Sequence, residues 1–214
     1  LGAAFPQHGW VGSAAQIDGF GLQLAALLKD PKELFRAVTH VLVHSSLLHV
    51  LVNMMSLVAV GRRLEKLLGT APFVCMCAQL TAAYVGVLVL GSILAIKTKN
   101  VVRSMQAKMV GLSGLLFALF TVDSLAQPKG TQVTVNGFTM DAVWYPWVAL
   151  VVQSLLFPQA SFIGHAAGII AGHLYSRNIL SWCDPSQQML RKIEKALATW
   201  RGFEKSRKVT LVRR

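Results

Sequence analysis

Apolar residues are gathered along the chain into five long segments, which are separated by short polar breaks. The longest segment, Ala71–Ile96, contains no charged side chain, and a helix of that length crosses a hydrocarbon core of about 30 Å. The breaks contain Gly, Pro and Lys, which end helices or attract water. The pattern therefore predicts an all-α, polytopic membrane bundle with five visible spans, at residues 46–60, 71–96, 109–127, 142–157 and 159–176.

The remaining segments divide the chain into three regions. Residues 1–35 are predicted to be an irregular first-loop or interfacial region with a short amphipathic piece, Phe20–Leu28. Residues 36–180 form the membrane domain, and residues 181–214 form a tail. Inside the membrane domain, residues 130–139 alternate between polar and apolar side chains, which is typical of either a small hairpin or a loop.

Composition and charge agree with a membrane protein. Hydrophobic residues make up 54% of the chain, charged residues 14%, and the mean hydropathy is +0.52, which excludes an ordinary soluble domain. The net charge is +12, and the tail has nine basic and three acidic residues, 9 − 3 = +6. A basic tail after a membrane span indicates the cytosolic side. The basic turn Arg62–Lys66 falls on that side, whereas the loop Lys97–Lys108 falls on the other, against the rule.

The tail has apolar residues at near-helical spacing among its basic residues, namely Met189, Leu190, Ile193, Leu197 and Trp200. This pattern suits a basic amphipathic helix that binds an anionic lipid surface or a cytosolic partner. A solvated, mobile tail is the alternative. The chain shows no soluble nucleic-acid-binding module, so no nucleic-acid partner is predicted.

A serine lies in the third apolar segment, within the motif Gly111-Leu112-Ser113-Gly114. A nucleophilic group in hydrocarbon is costly and therefore points to a function. A serine hydroxyl attacks well only next to a positioned base. The motif is also typical of small-residue packing between membrane helices, and the motif alone does not decide between the two.

A histidine lies in the fifth segment, within Gly164-His165-Ala166-Ala167-Gly168. Gly168 and Gly172 share a helix stripe with His165, and small residues there let a partner backbone approach closely. If that partner carries Ser113, the two side chains meet as a Ser-His dyad, since no acidic residue is placed to orient the histidine. A structural histidine bonded to a backbone carbonyl is the alternative, but the glycine groove and the serine segment favour catalysis.

His49 and Asn53 are four residues apart and share a helix face. Both donate hydrogen bonds without formal charge, so with the Ser113 backbone N–H they are candidates for holding an oxyanion. His40, His44 and His49 raise a metal site as the rival interpretation, since His40 and His44 are also four residues apart. The chain has no HExxH glutamate and no nearby carboxylate ligand, and we therefore predict no metal.

Five motifs in this order resemble the rhomboid family of intramembrane serine proteases over about residues 33–176. They are Glu33-Leu34-Phe35-Arg36 with Thr39-His40; His44, His49 and Asn53; Leu64-Glu65-Lys66-Leu67-Leu68-Gly69; Gly111-Leu112-Ser113-Gly114; and Gly164-His165 through Gly172. Phe35 replaces a tryptophan and Leu67 replaces an arginine that are usual in the family. Both departures fall in structural motifs and leave the catalytic set intact.

The resemblance implies a bundle of six helices, sometimes seven, in which the serine heads a short helix below the membrane surface. With five spans visible, we expect the first span to lie upstream of Leu1. By the resemblance, Ser113 is the nucleophile, His165 the general base, and His49 and Asn53 the oxyanion donors together with the Ser113 amide. The supporting residues it implies are Phe117, which stacks on the histidine ring, and Gly111, Gly114, Gly168, Gly172 and His44.

The resemblance also implies substrates, partners and location. Family members cut transmembrane proteins near helix-destabilising residues, because a hydrogen-bonded helix must unwind before attack. The expected partners are transmembrane substrates and the lipid bilayer, and no cofactor is needed. The segment from Phe157 to His165 and the basic tail look most like the endoplasmic-reticulum rhomboids linked to protein degradation. The Golgi and the mitochondrial inner membrane are the alternatives.

Two other functional classes compete with a protease. A non-proteolytic rhomboid-like scaffold or retrotranslocation factor would bind membrane clients, but such proteins lack the Ser-His pair that this chain keeps. A transporter or channel would have polar residues recurring through several spans. Outside the motifs these are sparse, namely Gln79, Asp123, Gln153 and His173. Asp123 lies about 15 Å along a helix from Ser113, so we expect it near the opposite interface.

Overall fold

The computed structural model describes residues 14–94, 107–135, 137–157 and 160–212, with side chains as far as residue 199 apart from those of Ala14 and Cys183. The described residues are mostly helical. The helices are α1 (Ala14–Phe20), α2 (Leu24–Lys29), α3 (Arg36–Thr39), α4 (Leu47–Leu68), α5 (Thr70–Leu94), α6 (Ser113–Ala126), α7 (Tyr145–Leu156), α8 (Phe162–Ser176) and α9 (Gln187–Val212). Short 3-10 turns occupy Pro31–Phe35, Ala142–Trp144 and Ser181–Cys183.

Each of the five predicted spans is a helix, α4 to α8, which confirms the helical membrane bundle. By length and composition α4 and α5 are long and apolar enough to cross a membrane, whereas α6 and Ala142–Leu156 are shorter. The outer faces of α4 and α5 expose large apolar side chains such as Met55 and Leu90. Exposed apolar surface on this scale suits contact with lipid rather than with water.

Two span boundaries differ from the prediction. Helix α4 continues beyond residue 60 through Arg62 and Arg63 to Leu68, because these charges lie at its exposed end. Helix α6 begins at Ser113 rather than at residue 109. Gly111 has φ +105°, a left-handed conformation that breaks a helix, and Met109 instead forms an antiparallel bridge with Leu22.

The first-loop region is folded against the membrane helices. The predicted amphipathic piece Phe20–Leu28 is not one helix, because Leu22 leaves the helical path to pair with Met109 between α1 and α2. Leu22 is fully buried. Arg36 donates hydrogen bonds to the carbonyls of Asp18 and Gly21 at 2.7 and 3.1 Å, which ties the turn after α1 to α3. The division at residues 35 and 180 stays a prediction.

Residues 132–135 and 138–141 are the two strands of the hairpin that the alternating pattern allowed. Strand β1 (Gln132–Val135) pairs antiparallel with β2 (Phe138–Asp141), and Gln132 lies opposite Asp141. The hairpin follows α6 and leads through a 3-10 turn into α7.

Helix α6 is the centre of the bundle. It is buried on every side from Ser113 to Leu119, and it packs against α4, α5, α7 and α8. A helix that is apolar all round is typical of such a buried position. Ser113 contacts His165 near the starts of α6 and α8, and Thr121 lies against Gly172 two turns later, so the two helices run parallel.

An ion pair connects α4 with the far end of α6. The Arg63 guanidinium donates to both carboxylate oxygens of Asp123, from Nε at 2.6 Å and from Nη2. The carboxylate is buried, whereas the Arg63 side chain is 55% exposed. The pair lies about 15 Å along α6 from Ser113, at the opposite end of the helix. The loop at 97–108, apart from Ala107 and Lys108, lies outside the described residues, as do the chain termini.

Removing one partner of this pair should destabilise the bundle. We expect Asp123→Ala to lower the free energy of unfolding by on the order of 1–3 kcal/mol, less than for a fully buried pair because Arg63 is half exposed. Denaturant unfolding in detergent micelles measures the effect. Arg62→Ala, at an exposed neighbouring arginine, is the control. If Arg63→Ala and Asp123→Ala have additive effects in the double variant, the pair contributes no coupling.

Candidate active site

The start of α6 brings the predicted serine and histidine together. Ser113 Oγ donates a hydrogen bond to His165 Nε2 at 2.8 Å, and both residues are buried, with relative exposures of 8% and 3%. Phe117, one turn along α6, stacks on the His165 ring with centroids 4.6 Å apart and planes inclined by 25°. The stacking holds the ring plane, so Nε2 faces the serine.

His165 Nδ1 has no hydrogen-bond partner among the described residues. Because Nε2 accepts the serine proton, a neutral ring carries its hydrogen on Nδ1. In a triad a carboxylate would orient this atom. Here the aromatic contact with Phe117 orients the ring instead, and the arrangement is a dyad.

Glycines allow α6 and α8 to approach this closely. A Cβ at Gly168 would overlap the carbonyl oxygen of Gly114, and a Cβ at Gly172 would lie 2.6 Å from Thr121 Cβ. Both distances are shorter than real Cβ contacts. The glycine stripe that the sequence predicts therefore forms the contact surface with the serine-bearing helix.

His49 and Asn53 lie on the first turns of α4, opposite the dyad. Ser46 caps this helix by accepting from the His49 N–H at 3.1 Å. The Ser45 N–H donates to His49 Nδ1, so the neutral ring carries its hydrogen on Nε2. A Cβ at Gly111 would lie 2.7 Å from that Nε2, which explains why the turn requires glycine.

Asn53 is 3% exposed, and its Nδ2 has no hydrogen-bond partner among the described residues. Leaving a buried amide donor unsatisfied costs about 1–3 kcal/mol. The amide thus faces the site with donor capacity that the described residues do not use. Such a group suits an acceptor that arrives with a ligand.

His44 supports the turn that precedes Ser113. Its Nε2 accepts from the Leu112 N–H at 3.5 Å, and its ring packs edge-on against His49 at 4.9 Å. Burial lowers the pKa of His44, which keeps this ring neutral and able to accept. His44 therefore contacts the backbone of the turn rather than the dyad.

The dyad and the two donors line one cavity of about 450 Å³. Its walls also include Leu48 and Val52 of α4 and Gln153 of α7. Ser113 and Gly114, at the start of α6, also line it. The first amides of a helix have no acceptor within the helix, and the helix dipole makes this end electropositive. The site thus places a serine hydroxyl, a histidine nitrogen able to accept its proton and several hydrogen-bond donors around one cavity, which is the arrangement that acyl transfer through a serine requires.

The three-histidine metal alternative does not match the geometry. His40 Nδ1 donates to the Arg36 carbonyl at 2.7 Å and its Nε2 accepts from the Tyr84 hydroxyl, so both nitrogens are engaged. Among the described residues no group of three or more His, Cys, Asp or Glu side chains is arranged for a metal. Sequence reasoning missed Tyr84, because a single tyrosine in an apolar span carries no pattern.

Comparisons with known proteins agree with this geometry. A family profile described as "Rhomboid domain" matches residues 31–182. Rhomboid-like protein 15 of Arabidopsis thaliana is 30% identical over 77% of this chain and 41% of its own length. Rhomboid-like protein 14, mitochondrial, of the same plant is 31% identical over 80% of the chain and 51% of its own length.

A third relative, Rhomboid-type serine protease B of Aspergillus fumigatus, is 29% identical over 75% of the chain and 57% of its own length. The chain thus spans about half the length of the curated relatives it matches. No solved structure matches it significantly.

A methyl group at the helix contact should separate the dyad. We expect Gly168→Ala to lower the free energy of unfolding by about 1–3 kcal/mol, because its Cβ meets backbone rather than a flexible side chain. Thermal unfolding in detergent measures this. Gly86→Ala on α5, where an added Cβ would meet no described atom within 4 Å outside its own stretch of helix, should be neutral or stabilising by at most about 1 kcal/mol. Equal stability of Gly168→Ala and wild type would contradict the close approach.

Proposed function

The chain belongs to the rhomboid family, and from this premise we propose that it is an intramembrane serine endopeptidase that cleaves transmembrane proteins. Rhomboid proteins are embedded in the membrane, and the family is generally one of serine proteases. The observation that supports activity in this member is the 2.8 Å hydrogen bond from Ser113 Oγ to His165 Nε2 inside a buried cavity.

In the proposed mechanism, His165 Nε2 takes the Ser113 proton as Oγ attacks a peptide carbonyl carbon. The C=O bond opens to a tetrahedral oxyanion, and the histidine then gives the proton to the leaving amine. The collapsing intermediate leaves an acyl-serine. Water, activated by the same histidine, hydrolyses this ester and restores the serine.

We assign the oxyanion to three donors. Asn53 Nδ2 is buried and unpaired among the described residues, His49 carries its hydrogen on Nε2, and the Ser113 N–H belongs to the first turn of α6, where amides have no acceptor within the helix. All three are neutral, which avoids the cost of placing a charge in an apolar bundle before the oxyanion forms.

Substrates of this enzyme are proposed to be transmembrane helices. The position of Ser113, about 15 Å from the Arg63–Asp123 pair along α6, lies well inside a hydrocarbon core of about 30 Å. A peptide bond at that depth is shielded by its own helical hydrogen bonds until the helix unwinds. The enzyme should therefore prefer segments with helix-destabilising residues.

We propose an endomembrane location, with the endoplasmic reticulum favoured by the segment from Phe157 to His165 and by the basic tail. The Golgi and the mitochondrial inner membrane are the alternatives, and one relative is named mitochondrial. Imaging of the tagged full-length protein against markers of the three compartments decides between them.

Cleavage of a model transmembrane substrate in proteoliposomes tests the proposed function. Ser113→Ala and His165→Ala should each lower kcat by at least about 10³-fold, because either change removes the dyad. Asn53→Ala should lower kcat by about 10²-fold through loss of one oxyanion donor. Ser124→Ala, at another buried serine of α6, is the matched control and should keep wild-type activity.

A different result would favour the rival function. If wild type and Ser113→Ala bind several substrates equally and neither yields product, the chain acts as a non-proteolytic scaffold for membrane clients. Product that forms equally in both proteins would remove Ser113 from the nucleophile position.

We further propose that α9 binds anionic lipid at the membrane surface. Three apolar side chains of this helix share one stripe and are half-buried, namely Leu190, Ile193 and Leu197. Three basic side chains that lie between them in the sequence are exposed, namely Arg191, Lys192 and Lys195. Apolar and basic faces on one helix match an interface of acyl chains and acidic headgroups.

Vesicle composition should control access to this helix. We expect the tail to resist proteinase K in proteoliposomes that contain phosphatidylserine, and to be cut in purely phosphatidylcholine vesicles or at high salt. The triple variant R191Q/K192Q/K195Q should lose the protection. Protection that is the same in both vesicle types would instead indicate a tail that needs a protein partner or stays solvated.

A further inference from the structure

A buried tyrosine and histidine that take no part in the proposed chemistry lie beside the serine turn. Tyr84, on α5, and His40, in the turn after α3, are each 2% exposed. The Tyr84 hydroxyl and His40 Nε2 are hydrogen-bonded, and the two rings meet edge-on with centroids 5.8 Å apart.

The direction of this hydrogen bond follows from its neighbours. The Arg36 carbonyl can only accept, so the contact at 2.7 Å places the hydrogen of His40 on Nδ1. His40 Nε2 then offers a lone pair, and the Tyr84 hydroxyl donates to it. Burial lowers the pKa of His40, which favours this neutral form.

The pair contacts both ends of Gly111–Gly114, the turn that carries the serine. The His40 carbonyl accepts from the Gly111 N–H at 2.8 Å. The Tyr84 ring lies against Gly114, where a Cβ would be 3.1 Å from Tyr84 Cε2. On its other side, the Gly114 carbonyl lies against Gly168 of α8. The residue after the serine is thus enclosed between α5 and α8.

The turn needs such support because Gly111 and Leu112 precede the regular helix, and the Gly111 N–H bonds to the His40 carbonyl rather than within a helix. Gly111 adopts φ +105°, and regular α-helix begins only at Ser113. The orientation of the Ser113 amide and of Oγ depends on this short segment. A displacement of about 1 Å at a reacting group costs up to about 10²-fold in rate.

We propose that Tyr84, held in place by His40, is a positioning residue that sets the Ser113 turn against the dyad histidine. The proposal rests on the proposed function for its kinetic consequence, but its structural part stands on the contacts alone. Tyr84 and His40 line the same cavity as the dyad, and Tyr84 acts on the dyad through its contact with Gly114.

The variant Tyr84→Phe separates the hydroxyl from the ring. It keeps an aromatic ring against Gly114 but leaves His40 Nε2 buried without its donor. The ring at position 84 then loses the hydrogen bond that fixes its position. In proteoliposomes we expect kcat to fall about tenfold while KM stays within about twofold. His40→Gln, whose amide oxygen can accept from Tyr84, should retain more activity than His40→Leu.

Tyr145→Phe is the matched control, because it removes a phenolic hydroxyl away from the serine turn, where the ring packs edge-on against Phe120 of α6 with centroids 5.4 Å apart. It should leave kcat and KM at wild-type values. Thermal unfolding of all variants shows whether a lost rate follows lost stability. A decrease in kcat that matches the unfolded fraction, a rise in KM with kcat unchanged, or equal rates for Tyr84→Phe and Tyr145→Phe would each overturn the proposal.

Hydrogen exchange measures the structural part independently of catalysis. In Tyr84→Phe, the peptide covering Met109–Leu116 should exchange faster, whereas peptides at the far end of α6 should be unchanged. If wild type gives no Ser113-dependent product, the proposed function fails, and this exchange result still decides whether Tyr84 holds the turn. Unchanged exchange at Met109–Leu116 would overturn it.

Discussion

The close approach of α6 and α8 is the contact on which the rest of the site depends. Glycines at 168 and 172 bring the α8 backbone against Gly114 and Thr121, and this spacing places Ser113 Oγ 2.8 Å from His165 Nε2. A single methyl group on either glycine would overlap atoms of α6. Van der Waals packing between small residues is a main source of helix association in lipid, so the same contact both stabilises the bundle and assembles the dyad.

Most polar groups of this site have a hydrogen-bond partner, as burial in an apolar bundle favours, and two do not. Ser46 caps α4, Ser161 caps α8 by accepting from the Gly164 N–H, and each cap lies beside a site residue. Two buried donors, at Asn53 and His165, have no partner among the described residues. Donors left free beside a nucleophile are a cost to stability that an oxyanion would offset during the reaction.

The short central helix determines the depth of the site. Helix α6 has 14 residues, about 21 Å, which is less than a hydrocarbon core of about 30 Å. The Arg63–Asp123 pair connects its far end to the charged end of α4. If this charged end lies at one membrane surface, a helix of this length leaves the serine short of the opposite surface, with the electropositive helix start beside the cavity.

The sequence predicted the membrane helices and the helix faces that site residues share, each for a different physical reason. The five apolar segments predicted α4 to α8, since burial in lipid requires long apolar helices whatever their partners. The spacing of His49 with Asn53, and of His165 with Gly168 and Gly172, predicted shared faces because helical geometry is local. The apolar run at 109–127 did not predict the start of α6 at Ser113, because such a run does not show where a left-handed glycine interrupts it; only the rhomboid resemblance implied a helix that begins at the serine.

The sequence by itself determined the helices, the candidate nucleophile and base, and the glycine stripe, because these depend on composition and on spacing along one chain segment. Only the tertiary structure decided three contacts: Leu22 pairs with Met109, Arg63 donates to Asp123, and the Tyr84 ring packs against Gly114. These contacts join residues far apart in the chain. Single polar or aromatic residues produce no periodic pattern, so their partners are determined by how the helices pack.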